Sequence, residues 1–543
     1  MLASKKINAV VAVIVAIAVV FTCILAFTPG ILGIKSYSES PDYLEKLFDK
    51  DSVQSINISV DEDQWQELLD NATQEEYYPC DITINGETFY QVGIRAKGNS
   101  SLSTVASSGS DRFSFKIKLD EYIDGQSYHG LSKFVINNMQ GDATYMKEYM
   151  SYDMYDFMGV ATPAYAFADI SVNDQGWGLY LAVEAMEEDF AARTYGNNFG
   201  ELYKPESMDM GDGFGGGDMQ DRNQMADMGN FDPLQMMDGQ MPDMGNMFGG
   251  FGGSGGGADL VYTDDKISSY SQIFDNTETA NNTDADKKRV INALKILNQS
   301  TDADEIATVV DVDEVLRYFA VNTALVNLDS YVSSFKQNYY LYEDDGVISI
   351  LPWDLNLSFG GFQGGGSEAV NFPIDTPVSS GIDLSSRPLI GSLLKFNQYT
   401  ELYHQHLQKI VDEYFNSGYF QQKVESLDVM IRDYVAKDAT AFYTVDEYDK
   451  AVDTLVKYGS LRAESIEGQL NRTVPSTRES QNANSSALVD ASGIDMSDMG
   501  SMGRGGMENF NPSQMGGKMP NGMPGGQRPQ MPSGMPGGMN FGM

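Results

Sequence analysis

Two stretches, roughly 205–258 and 484–543, set the limit on what this chain can fold. They consist largely of Gly, Met, Asp, Asn and Pro, and they hold 21 of the 29 methionines. Repeats such as Asp-Met-Gly and Met-Pro-Gly-Gly cannot bury enough apolar surface to offset the entropy of ordering them. Both are expected to be disordered, and the first must loop out from between folded segments. Clustered thioethers suit Cu(I). No histidine accompanies them, and a flexible tether or contact surface is the plainer reading. Of the 543 residues, about 400 remain with ordinary globular composition, enough for a substantial core.

Residues 7–27 (INAVVAVIVAIAVVFTCILAF) form an uncharged run of 21 after Lys5 and Lys6. That length spans a hydrocarbon core, and the lysines favour a cytoplasmic N-terminus. A cleaved signal usually has a shorter apolar region and small residues at the cut, whereas Ala26-Phe27-Thr28-Pro29 is a poor site. An uncleaved signal anchor (1–29) and a polar stalk (30–52) are therefore expected. They would hold the main domain outside the cytoplasm, at the cell membrane. Beyond the anchor Cys80 is the one cysteine, so an internal disulfide cannot form there. The formal charge of −41 repels nucleic acid and excludes it as a partner. Three histidines argue against a His-rich zinc site and against Ser/His/Asp catalysis.

The pattern from residue 53 alternates in the manner of strands. SVQSINISV is strand-like, DEDQWQELLDN is helical, and CDITINGETFYQVGIRAKG gives two strands around Asn85-Gly86. FSFKIKL (113–119) puts Phe115 and Ile117 on one face and Lys116 and Lys118 on the other. A helix follows Asp142 and ends near Gly159. Strands at 164–184, a helix, and the insert come next, then helices at 284–299 and 303–328. Strands at 338–343 and 346–351 surround Asp344-Asp345-Gly346, and 388–471 is helical. This order predicts an α+β arrangement rather than a doubly wound parallel sheet. The N-terminal α+β lobe covers 53–204, a catalytic and mostly helical lobe covers 259–471, and a disordered tail covers 472–543.

Residues 322–360 carry the strongest chemical signal. Asp329 follows an apolar helix pattern, Asn338 opens a strand, and Asp354 ends the apolar run ISILPW. Phosphoryl transfer needs such a set: one carboxylate for the acceptor hydroxyl, and an amide oxygen with a second carboxylate for Mg²⁺. Singly, each residue also suits a cap, an edge or a turn. Arg95-Ala96-Lys97-Gly98-Asn99-Ser100-Ser101 is a polar turn able to cradle phosphate, though a plain hairpin turn has the same composition. Lys116 on the next strand and Glu148 on the next helix follow the chain order of a kinase lysine and glutamate. Lys118 is an equal rival to Lys116 by alternation.

GIRAKGNSS, GLYLAVE, GELYK, LDSY…N, PWDLNLSFG and RPLI (387–390) together resemble blocks of the spore coat protein H (CotH) kinase family, in order over about 53–471. The resemblance implies an atypical protein-kinase-like fold that uses ATP and Mg²⁺ (or Mn²⁺) to phosphorylate Ser or Thr in protein acceptors of the spore coat. It implies Asp329 as catalytic aspartate and Asn338 and Asp354 as metal ligands, with Asn356 where the family often has a second acid. Lys116 and Arg95 would contact phosphates by the resemblance; Lys97, Asn99 and Ser100 belong to the turn able to cradle them, and Glu148 is the helix partner that the chain order offers Lys116. Glu184 would lie near the adenine, and Lys204 in GELYK near phosphate or acceptor. A non-catalytic surface-binding module that keeps the fold would use its acidic and Met-rich faces, and a metal-dependent phosphohydrolase would be built on the same oxygen ligands.

Overall fold

A computed structural model describes residues 41–98, 100–206, 256–362 and 366–500. Residues 207–255 of the low-complexity insert (205–258) lie outside the described residues, as do 1–40, Asn99, 363–365 and 501–543.

The alternating segments form seven strands: β1 (Gln54–Ser59), β2 (Tyr78–Ile84), β3 (Glu87–Lys97), β4 (Ser114–Lys118), β5 (Lys133–Asn137), β6 (Tyr165–Val172) and β7 (Gln175–Glu184). They close into a barrel in the order β1-β2-β3-β4-β5-β7-β6. Neighbours are antiparallel except where β1 joins β6 in parallel, Ile56 opposite Ile170. Asn85 and Gly86 both take positive φ, as a tight hairpin turn with matching twist requires. Ile56, Ile82, Ile94, Phe115, Phe134, Ile136 and Ala182 fill the interior. Cys80 is buried among them.

The protein-kinase-like α+β lobe expected for 53–204 is thus corrected to a closed barrel. Alternation assigns each residue a face but carries no information on closure. Closure here depends on one parallel pairing between segments more than a hundred residues apart. The polar turn after β3 is also not a hairpin: the chain enters a helix, Ser100–Ser108. The expected membrane-spanning helix, residues 7–27, falls outside the described residues. Among the described residues no helix is long and apolar enough to cross a membrane.

A second sheet has three strands, β8 (Glu201–Tyr203), β9 (Tyr339–Asp344) and β10 (Val347–Pro352), with β9 in the middle. Around it pack the helices Lys147–Phe157, Asp284–Gln299, Val312–Leu325, Asn397–Lys409, Tyr419–Val435 and Val445–Leu470. The outer face of the barrel at β5, β6 and β7 joins this larger core through Val135, Tyr165, Phe167, Leu181 and Val183. Each strand there serves two cores, one per face, which is why GLYLAVE reads as nearly unbroken apolar sequence.

Two buried arginines tie distant segments together, the first of them across the two halves. Arg112 and Asp438, both fully buried, pair at 2.8 Å across the barrel wall. Arg462 donates to the carbonyls of Thr323, Ala324, Val370 and Phe372. With carbonyls as its partners, burial pulls its guanidinium down to about 10.

The tail expected to be disordered from 472 onward folds as far as residue 500. Arg478–Ala483 is helical, and Met496 and Met499 are buried in the main core. The Met499 carbonyl accepts from Ala143 N at 3.1 Å, and Lys450 pairs with Asp498 at 2.7 Å. Two methionines suffice here because a preformed groove supplies the apolar surface that the segment lacks on its own.

Candidate functional site

The helix Val312–Leu325 stops where Val326 turns left-handed, its N–H bonded back to Asn322 and Thr323. The chain then runs through an irregular loop to β9. Hydroxyl bonds from Ser330 to the Asn327 carbonyl (2.8 Å) and from Ser333 to the Ser330 carbonyl (3.0 Å) fix its course. Arg387, the arginine of the RPLI block, donates to the Tyr331 carbonyl at 2.8 Å and also to that of Ser333. Asp329, 7% exposed, is gripped at both oxygens: Gln337 donates at 2.8 Å and Asn338 at 2.9 Å. Asn338 adopts φ +57°, a strained value that this grip explains.

Asp354 arrives from the other side. It follows β10 and Trp353 with φ +55°. The turn after it is bound to the end of the Asp329 helix, Phe359 N donating to the Leu325 carbonyl at 2.6 Å. Two hydrogen-bonded turns therefore deliver the two carboxylates. Their fields couple: the Asp354 charge raises the Asp329 pKa after burial has done most of that, to about 7.

The barrel brings the cation. Lys97, at the end of β3, reaches Asn137 Oδ1 at 2.9 Å and stands 5.6 Å from the Trp353 ring. The Asn137 amide donates in turn to both Glu148 oxygens, at 2.9 and 3.0 Å. Burial, then the Asp354 charge, push Glu148 up to about 8. Burial lowers Lys97, opposed by Asp354 and Glu148. Lys204 pairs with Glu206 at 2.7 Å and lies within the field of Asp354.

Lys97, Glu148, Asp329, Asn338 and Asp354 thus converge, with Lys204 beside them. The other predicted residues are engaged elsewhere. Lys116 pairs with Glu187 at 2.9 Å, and the same carboxylate takes Lys133. Arg95 pairs with Glu75 beside the Tyr77 ring. Glu184 is fully buried, accepting from Tyr43, Ala164 N and Arg193. Asn356 donates to the Gln140 carbonyl at 2.9 Å. Ser100 opens the helix after β3. Asn137, Gln337 and Arg387's hold on the loop escaped the sequence reading. Asn137 sits among apolar strand residues, where only register reveals its neighbours.

Among the described residues no three His, Cys, Asp or Glu side chains converge as a metal cage. Mg²⁺ does not demand one, since it is usually held by one or two carboxylates together with phosphate oxygens. Asp354 offers hard oxygens. Asn338, whose amide nitrogen is turned to Asp329, keeps its amide oxygen for a cation.

Protonation has a consequence for stability. Asp329, Glu148 and Glu314 are raised to about 7, 8 and 7, in each case first by burial. The folded state therefore binds more protons than the unfolded state between pH ~4 and ~8, and stability falls as pH rises through that window. The limiting slope is about 1.4 kcal/mol per pH unit for each full proton. Calorimetry without ligands is expected to give a lower Tm at pH 8 than at pH 6; a rise would contradict the placement of these carboxyls.

A carboxylate pair, a half-buried lysine and a loop held by arginine thus come together at one place. Residues 94–466 match the CotH kinase protein family, and the chain belongs to it. It is similar to the inner spore coat protein H of Bacillus subtilis (strain 168), 20% identical over 362 residues, which cover 64% of this chain and 80% of that protein.

Proposed function

We propose that this protein is a phosphotransferase that moves the γ-phosphate of ATP, with Mg²⁺ or Mn²⁺, to Ser or Thr hydroxyls of a protein acceptor. The observation that carries this reading is the convergence of Asp329 and Asp354 opposite Lys97. Asp329, with a pKa near 7, is a base matched to neutral pH, and it orients and deprotonates the acceptor hydroxyl. Asp354 and the Asn338 amide oxygen would hold the metal, which when bound neutralises charge on the phosphate oxygens. Lys97 and Lys204 offset the remaining phosphate charge in a protein that is strongly anionic overall. Family membership supports the reading, and the relative's name directs the search for acceptors to Ser/Thr-rich proteins of the spore coat.

The test is transfer from labelled ATP to a Ser-rich acceptor with either metal. Asp354→Ala is expected to leave less than about 1% of the wild-type rate, the scale of losing a main electrostatic group at a phosphoryl centre. Wild-type protein that labels no acceptor under either metal would end the kinase reading. Release of free phosphate without labelled protein would identify a hydrolase instead.

A further inference from the structure

Building on that reading, we infer that Asn137 is a positioning residue, a relay that joins Lys97 to Glu148 and aims the lysine at the phosphates. The register of the barrel makes the relay possible. Lys97 pairs with Ser114 on β4, and Asn137 on β5 lies one position beyond the Phe115–Ile136 pair. All three side chains share the outer face, in one row across the barrel wall. Ser114 is small, so the lysine passes over it and reaches Asn137 two strands away, at 2.9 Å.

An amide has one acceptor end and one donor end. Here the acceptor end faces the ammonium and the donor end faces the carboxylate, an orientation that the two partners dictate. Asn137 is 6% exposed and Glu148 2%, so solvent does not substitute for the bond between them. The relay keeps Lys97 over the site while Glu148 stays in the helix Lys147–Phe157. Asn137 therefore acts through Lys97 and touches no reacting atom.

The polarity of the relay can be inverted without changing net charge. At pH 9, above the Glu148 pKa of about 8, Asn137→Asp places one carboxylate against another and breaks the chain. Asn137→Asp with Glu148→Gln rebuilds it, since the new glutamine amide donates to the new aspartate, which still accepts from Lys97. In the full chain, Asn137→Asp is expected to raise the KM for ATP about 30-fold, the scale of one lost charge-assisted bond in a buried site. The double variant is expected to return within about fivefold of wild type. Thermal melting without nucleotide and Mg-ATP affinity by calorimetry are recorded for wild type, Asn137→Asp, Glu148→Gln and the double variant.

Asn137→Asp with unchanged KM and affinity overturns the relay, as does a double variant no better than Asn137→Asp. A double variant that regains its Tm but not its affinity for ATP overturns the positioning role and leaves a packing role. Wild-type protein that binds Mg-ATP but labels nothing removes the kinase reading alone, because affinity still ranks the four proteins. Wild-type protein that does not bind Mg-ATP removes both.

Discussion

Asp329→Asn is expected to reduce phosphate transfer by about 10³-fold or more while leaving ATP affinity within a few-fold of wild type. Asparagine keeps the shape but cannot take the hydroxyl proton. It also meets two donors, from Gln337 and Asn338, with a single acceptor. The cost of that mismatch is about 1 kcal/mol and is offset by removal of a buried carboxyl. The sign with pH is fixed by the raised pKa. Wild type loses stability as Asp329 ionises toward pH 7 and above, and the variant does not. The Tm of the variant relative to wild type should therefore climb between pH 5 and pH 8. A variant that keeps more than a tenth of the activity would show that Asp329 is not the base.

Removing either member of the Arg112–Asp438 pair is expected to cost about 3–5 kcal/mol, read by denaturant unfolding. The partner left behind is a charge in the interior with no water to solvate it. Arg112 also donates to the Asn138 carbonyl at 3.1 Å and to Thr440 at 2.8 Å. Asp438 accepts from Leu179 N at 3.0 Å. The two single substitutions consequently share their damage, and Arg112→Ala with Asp438→Ala should cost well under the sum. Gly178→Ala attacks the same point by steric means. A Cβ there would stand 2.4 Å from Asp438 Oδ1 and 2.5 Å from Arg112 Nη1. Additive single effects would refute the coupling.

The strands were legible because alternation and turn chemistry are local. Asn85-Gly86, Asn173 to Gly176 and Asp344-Asp345-Gly346 each mark a hairpin that the structure contains. Asp354 was legible because an apolar strand has one exit. The barrel and its lysines were not. Arg95, Lys97, Lys116 and Lys118 all lie on the outward face of β3 and β4. Which of them meets Asp354 depends on where the second half docks. Sequence order favoured Lys116 by analogy with kinases, yet Glu187, immediately beyond β7, neutralises it. Glu184 looked functional in an apolar strand end, but Arg193, nine residues later, claims it. The segment to 500 read as disordered because its composition is poor in apolar residues, and composition says nothing of a groove prepared by the rest of the chain.

The Arg112–Asp438 pair spans 326 positions in the chain. The barrel residues emerge from the ribosome long before residue 438 does, and the sheet can close without it. Until then a guanidinium waits in the wall without its counter-charge. The charge in the barrel wall is therefore neutralised only when the helical half has been synthesised and docked, a long-range step. Truncated chains should persist as loosened barrels, recognisable to quality-control proteases by that missing contact.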